Sequence, residues 1–97
     1  MILYVDIDNT ITNTTGCDYE NAQPIQDRIN RINKLFDEGN TIIYWTARGS
    51  GSGKQYFELT YNQLKQWGAK FHELRMGKPI FDMFIDDKAF NSEFYFT

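Results

Sequence analysis

Six residues carry most of the chemistry open to this sequence: Asp6, Asp8, Thr46, Lys78, Asp86 and Asp87. Asp6-x-Asp8 ends a short apolar run, Ile2-Leu3-Tyr4-Val5, and Asp86-Asp87 ends another, Met83-Phe84-Ile85. Carboxylates gathered at strand ends repel one another, and burial worsens the repulsion. A hard divalent cation with oxygen ligands relieves it, and Mg²⁺ is the usual one where phosphate is handled. Thr46 offers a hydroxyl that can donate to a phosphate oxygen, and Lys78 a mobile point charge that neutralises one. Backbone N–H groups just past Asp6 can form a nest for the same anion. Such a set suits phosphoryl transfer, in which positioning and electrostatic stabilisation supply most of the rate.

Those groups need elements to hold them. The run before Asp6 is too short for a helix and lacks a polar stripe, so it reads as a strand buried on both faces. Asn9 to Gln23 is polar and turn-rich, a loop over the site, with Pro24 near the first turn of a helix. Ile25, Ile29, Ile32 and Phe36 repeat at helical spacing, and Gly39 closes the helix. Thr41 to Trp45 is a second strand, ending at Thr46-Ala47-Arg48-Gly49. A Ser/Gly loop follows to Gly53, then Phe57, Thr60, Tyr61, Leu64 and Trp67 mark a helix stopped by Gly68. Lys70 to Leu74 is a weaker third strand, Met83 to Ile85 a fourth, and Phe94-Tyr95-Phe96 a short edge strand.

This alternation predicts an α/β fold, a small parallel sheet with helices on its faces. The stretch from Leu74 to Met83 is short for a parallel crossover, which needs roughly 10–12 residues. With the fourth strand beside the first, winding direction reverses there, and Asp6/Asp8 and Asp86/Asp87 flank a switch-point crevice.

Composition narrows the function classes. The 97 residues suit one domain, 1–97, with a modest core helped by 16% aromatic residues. A net charge of −3 disfavours nucleic acid, which calls for a basic face. Cys17 is the sole cysteine, so no disulfide closes within the chain and a reducing, cytoplasmic setting is expected. No stretch reads as a secretory leader or a membrane span; without such a leader the Asn13-Thr14-Thr15 sequon has no meaning.

The order Asp6-x-Asp8-x-Thr10, Thr46, Lys78, Asp86-Asp87 resembles the four motifs of the haloacid dehalogenase-like (HAD) phosphohydrolases. The stretches Tyr44 to Gly49, Gln63 to Gly68, Gly77-Lys78-Pro79 and Ile85 to Ala89 look most like small phosphatases encoded with capsule and surface-polysaccharide genes. The resemblance implies a three-layer Rossmann-like core and a Mg²⁺-dependent phosphatase acting on a phosphate ester such as a sugar phosphate. It makes Asp6 the nucleophile that becomes an aspartyl-phosphate and Asp8 the general acid–base. Mg²⁺ would be held by the carboxylates of Asp6 and Asp86 and the backbone carbonyl of Asp8, with Asp87 a ligand through water or an orienting group. Thr46 and Lys78 would grip the phosphoryl group. Neither gap between motifs can hold the cap domain of the larger members. The capless site is therefore open, covered by a large substrate or by a neighbouring subunit of a homo-oligomer.

Other readings compete. A receiver-like signalling domain also joins acids, Mg²⁺, Thr and Lys, but there the acid pair comes first; a binding module without rapid turnover is a further reading. A calcium loop fails because Ile11 and Cys17 stand where Gly and Glu are needed. Gly49 to Lys54 imitates a P-loop, but Arg48 and Gln55 break its spacing. Arg48 is open between substrate contact and a structural role, and His72 reads as structural.

Overall fold

The computed structural model describes residues 1–97. Its elements in order are β1 (Ile2–Val5), β2 (Thr12–Asn13), a 3₁₀ turn (Tyr19–Asn21), β3 (Gln23–Pro24), α1 (Gln26–Asp37), β4 (Thr41–Trp45), α2 (Phe57–Gln66), β5 (Glu73–Arg75) and α3 (Ser92–Tyr95). The main sheet is parallel with order β1-β4-β5, and β2 and β3 form a separate antiparallel pair.

Both long helices end for the same local reason. At α1, Gly39 N–H donates to Phe36 O and Asn40 N–H to Leu35 O; at α2, Gly68 N–H donates to Lys65 O and Ala69 N–H to Leu64 O. These paired bonds need a left-handed residue after the helix, which glycine adopts without a Cβ penalty; φ is +96° at Gly39 and +73° at Gly68.

Topology then fixes the layers. The strands advance in one direction, β1 to β4 to β5, and right-handed crossovers that keep direction put their helices on one face. Val5, Ile42, Tyr44 and Leu74 point to that face and meet Ile29, Ile32 and Leu64 of α1 and α2 in a single core. Ile29, Ile42 and Leu64 are wholly buried. The opposite face carries Tyr4, Ile43, Trp45 and Arg75. Here Tyr4 packs edge-on against Trp45, and Arg75 donates to the Tyr4 hydroxyl at 2.6 Å. No helix of the chain is long and apolar enough to cross a membrane.

Several expectations change. The fourth strand at Met83–Ile85 does not form, so winding never reverses and one chain builds two layers rather than three. The cause is tethering: Lys78 N–H donates to Thr46 O at 3.0 Å, leaving Pro79 to Asp82 as the only slack before Met83. The third strand runs Glu73–Arg75 rather than 70–74, because His72 is occupied just before it. His72 N–H donates to Ile42 O, and its Nδ1 accepts from Ile42 N–H. The 94–96 stretch is not a strand. Asn91 caps α3 by accepting from Glu93 N–H, and a capped turn outcompetes the aromatic β-preference. Finally, the 9–23 loop contains β2, and Pro24 sits in β3, one residue short of the α1 N-cap Ile25.

One core group has no partner: the Tyr44 hydroxyl is buried without a hydrogen bond. Desolvation pushes its ionisation far above the ordinary phenol range, so it stays neutral. Tyr44→Phe should therefore leave stability unchanged or raise it by about 1 kcal/mol, read from the urea midpoint; a loss of that size would show that the hydroxyl has a partner.

Candidate functional site

Asp6 and Asp8 follow β1 on a tight turn. Thr10 and Ile11 N–H both donate to Ile7 O, at 3.1 and 2.9 Å. Asn9 takes the left-handed conformation (φ +60°), which asparagine tolerates better than most residues. Its Oδ1 accepts from Thr14 N–H, so the turn is tied down by its own side chains. Ile7 and Ile11 are wholly buried and anchor the turn in the core. The alternation leaves Asp6 and Asp8 at the surface rim.

The two carboxylates have different surroundings. Asp8 is gripped by Arg48, whose Nε donates to Oδ2 at 2.9 Å and Nη2 to Oδ1 at 2.8 Å, while Thr14 Oγ1 adds a 2.8 Å bond to Oδ1. The Arg48 side chain is fully buried and that of Asp8 is 19% exposed. The remaining guanidinium nitrogen, Nη1, donates to Thr60 Oγ1 at 3.1 Å and Gln63 Oε1 at 2.6 Å. Gln63 in turn donates to Tyr19 O, and the Tyr19 ring lies 4.9 Å from the guanidinium carbon. Asp6 is freer. Its side chain is 35% exposed, with Thr10 Oγ1 at 3.2 Å on Oδ2 and Lys78 Nζ at 3.5 Å on Oδ1. The Lys78 ammonium also sits between the rings of Trp45 and Phe81, at 5.9 and 5.4 Å.

Thr46 is a structural junction. Its N–H donates to Arg75 O, its carbonyl accepts from Lys78 N–H, and its hydroxyl accepts from Arg48 N–H. It is buried, so its hydroxyl closes a local turn at the sheet's C-terminal edge. Gly49 follows at φ +82°, where a Cβ would meet Lys54 O. The 49–54 loop thus folds back on itself, and with Met76 and Gly77 it borders a cleft of about 200 Å³ lined by Lys54, Gln55 and Tyr56.

The structure brings Asp6, Asp8, Thr46 and Lys78 together and leaves Asp86 and Asp87 out. Both are exposed, and Asp86 Oδ1 accepts from Lys88 N–H in a local turn. No cluster of three or more acids, histidines or cysteines forms, and the Asp8 carboxylate is already spent on Arg48 and Thr14. The Mg²⁺ set expected of one chain is therefore not assembled: the Asp6 carboxylate and the Asp8 backbone carbonyl lie together on the turn after β1, but Asp86 and Asp87 are absent from it.

The sequence underrated Arg48 and did not single out Thr60 or Gln63 as its partners. A signal existed: Thr60 and Gln63 lie beside Leu64 on the buried side of α2, where a polar side chain must find a partner.

Fold and site together define a small α/β protein with a parallel main sheet whose strand ends hold a part-exposed acid, beside Lys78, next to an arginine-bound one. No protein-family model matches the chain, and no curated protein does. A crystallised target protein from Vibrio cholerae matches it with a TM-score of 0.87 and 26% sequence identity, covering 99% of this chain and 87% of that one. That likeness concerns the path of the chain, including the segment after β5, and leaves the chemistry to the residues themselves.

Removing Arg48 strands Asp8, Thr60 and Gln63 at once, and breaking a buried pair in this way costs about 3–5 kcal/mol. Arg48→Met should lose that much in urea denaturation, and Arg48→Lys should recover little because an ammonium cannot reproduce the fork; wild-type stability in either variant contradicts the assignment. Tyr19 offers a second check. Burial raises its pKa to about 12, with Cys17 and Asp8 adding to the shift and Arg48 opposing it. The folded state then holds the proton more tightly than the unfolded state, so stability should fall as pH rises between the ordinary phenol value and about 12. Alkaline denaturation of Tyr19→Phe should lack that component.

Proposed function

We propose that the chain is a phosphomonoesterase working through a phosphorylated Asp6. The observation that carries this is the asymmetry of the two acids. Asp6 is part-exposed, with a cation and a hydroxyl on its oxygens, whereas Asp8, two residues on, is locked by a buried arginine. A carboxylate with an accessible oxygen suits a nucleophile, and one fixed in place suits proton transfer.

In the first step an Asp6 oxygen attacks phosphorus, the bond from phosphorus to the ester oxygen breaks, and the leaving oxygen takes the proton carried by Asp8. In the second, water attacks the same phosphorus, the Asp6–phosphorus bond breaks, and Asp8 takes the proton of the water. Lys78 stands 3.5 Å from Asp6 and neutralises charge on the transferring group. Asp8 has both oxygens accepting from Arg48, so exchanging a proton with the leaving oxygen or with the water requires an oxygen to turn away from the guanidinium. Thr46 holds the loop that positions Arg48. The open edge and the cleft beside it suit a small polar ester, and the resemblance to polysaccharide-linked HAD phosphatases favours a sugar phosphate in the cytoplasm. Magnesium belongs to the proposal as counter-ion to the acids; one chain would hold it by the Asp6 carboxylate and the Asp8 backbone carbonyl, without Asp86.

Release of phosphate from an aryl phosphate, with Mg²⁺ and with chelator, tests the reading. Asp6→Asn should lower turnover on the order of 10³-fold or more with folding retained by circular dichroism, and Asp8→Asn about 10²–10⁴-fold, with stability lowered as well because Arg48 loses its buried partner. Undiminished turnover in Asp6→Asn removes it from the mechanism. One stable phosphoryl group per chain without turnover supports the receiver-like alternative instead.

A further inference from the structure

Two features of the chain lack partners. The first is the outer edge of β1, which pairs only with β4; on the bare face beside it Ile2 is 69% and Tyr4 50% exposed. The second is the arm after Lys78, which exposes Met83 to 75% and Ile85 to 88% in a stretch with no regular structure. An edge with free backbone groups is a template for another strand, and Met83-Phe84-Ile85 is apolar and of β type. The acids that follow it, Asp86-Asp87, are those missing from the site.

The chain cannot join these features by itself in the useful direction. To carry Asp86 to the level of Asp6, the arm must lie parallel to β1 with Met83 level with Leu3. Lys78 is fixed at the opposite end of the sheet by its bond to Thr46 O. From there the five Cα steps to Met83 reach about 17 Å. The straight line to the required place, two strand spacings across and four residues down, is already about 16 Å and runs through the sheet. Passing over the face exceeds the reach. A same-chain strand can therefore only run antiparallel, which takes Asp86 away from Asp6.

We propose that the arm from Pro79 to Thr97 exchanges between two copies of this chain, each laying Met83–Ile85 along the free edge of β1 in the other. If the second copy is inverted about a two-fold axis normal to the sheet, the far end of its β1 lies level with the first copy's Lys78. The arm then crosses three strand spacings, about 14 Å, within its reach. The two arms pair in the middle of a continuous eight-strand sheet, and the contact between α3 and α1, including Arg28–Glu93 at 3.3 Å, is remade between copies. Placing Asp86 level with Asp6 sets Phe84 beside Tyr4 and puts the acid pair of one copy at the site of the other. The exchange stands on the chain's geometry; the use of Asp86 as a site acid rests on the phosphatase reading.

Three readouts test it. Sedimentation should give twice the 11.4 kDa chain mass; a species of single-chain mass at tens of micromolar overturns the proposal. With Cys17→Ser, the pair Tyr4→Cys and Phe84→Cys should form disulfides that link two chains on a denaturing gel; closure within one chain, or none, overturns it. Asp6→Asn and Asp86→Asn, each inactive alone, should regain about a quarter of wild-type turnover when unfolded and refolded together, since random pairing makes half the dimers mixed and one site in each complete. No recovery, in an active wild type, overturns the shared site. A wild type without any turnover removes the phosphatase reading, while mass and cross-link still decide the exchange.

Discussion

The buried pair between Arg48 and Asp8 is the interaction on which the rest of the site depends. It joins the turn after β1 to the end of β4 and, through Thr60 and Gln63, to α2. A fully buried guanidinium is costly unless its donors are met; here Asp8, Thr60 and Gln63 meet four of the five from two elements. The network therefore sets the position of Asp8 to within a hydrogen bond and fixes the loop from which Thr46 and Lys78 are hung. Asp6, two residues away and outside the network, keeps an accessible carboxylate. Two acids of the same type thus have different freedom because only one faces the arginine.

The fold is as simple as its strand order. A sheet that advances in one direction, with crossovers of one hand, has all its helices on one side. The bare side is closed only by Tyr4, Trp45, Arg75 and the Lys78 segment, and β1 is left as an open edge. A core cluster of only 10 buried residues leaves an arm of large apolar side chains without cover. Open edge and uncovered arm follow from one missing strand, the strand that the proposed exchange would supply from a second copy.

Much of this was legible in the sequence. β1, β4 and the two long helices follow from apolar spacing and from Gly39 and Gly68, because local periodicity and local caps decide them. Asp6, Asp8, Thr46 and Lys78 converge because each follows the end of a parallel strand, and those ends share one edge. Asp86 and Asp87 were placed there by the same logic, which fails because it counts strands and ignores tether length: the bond from Lys78 to Thr46 O is long-range and leaves no mark in local pattern. The β2–β3 pair escaped for a related reason. Its strands are two residues long and held by threonine and asparagine side chains, so it has no apolar period to read. Arg48 was ambiguous until Gln63 was seen to face it.

The central claim is that Asp6 carries the phosphoryl group, and trapping that group tests it most directly. With an aryl phosphate the leaving group needs little acid assistance, whereas hydrolysis still needs the base, so Asp8→Asn should accumulate the intermediate. Borohydride reduces an acyl phosphate to the alcohol, which converts the modified aspartate to homoserine. Peptide mass analysis after such a quench should find homoserine at position 6 and at no other aspartate. Phosphate release with position 6 unmodified, or reduction at another aspartate, would contradict the account.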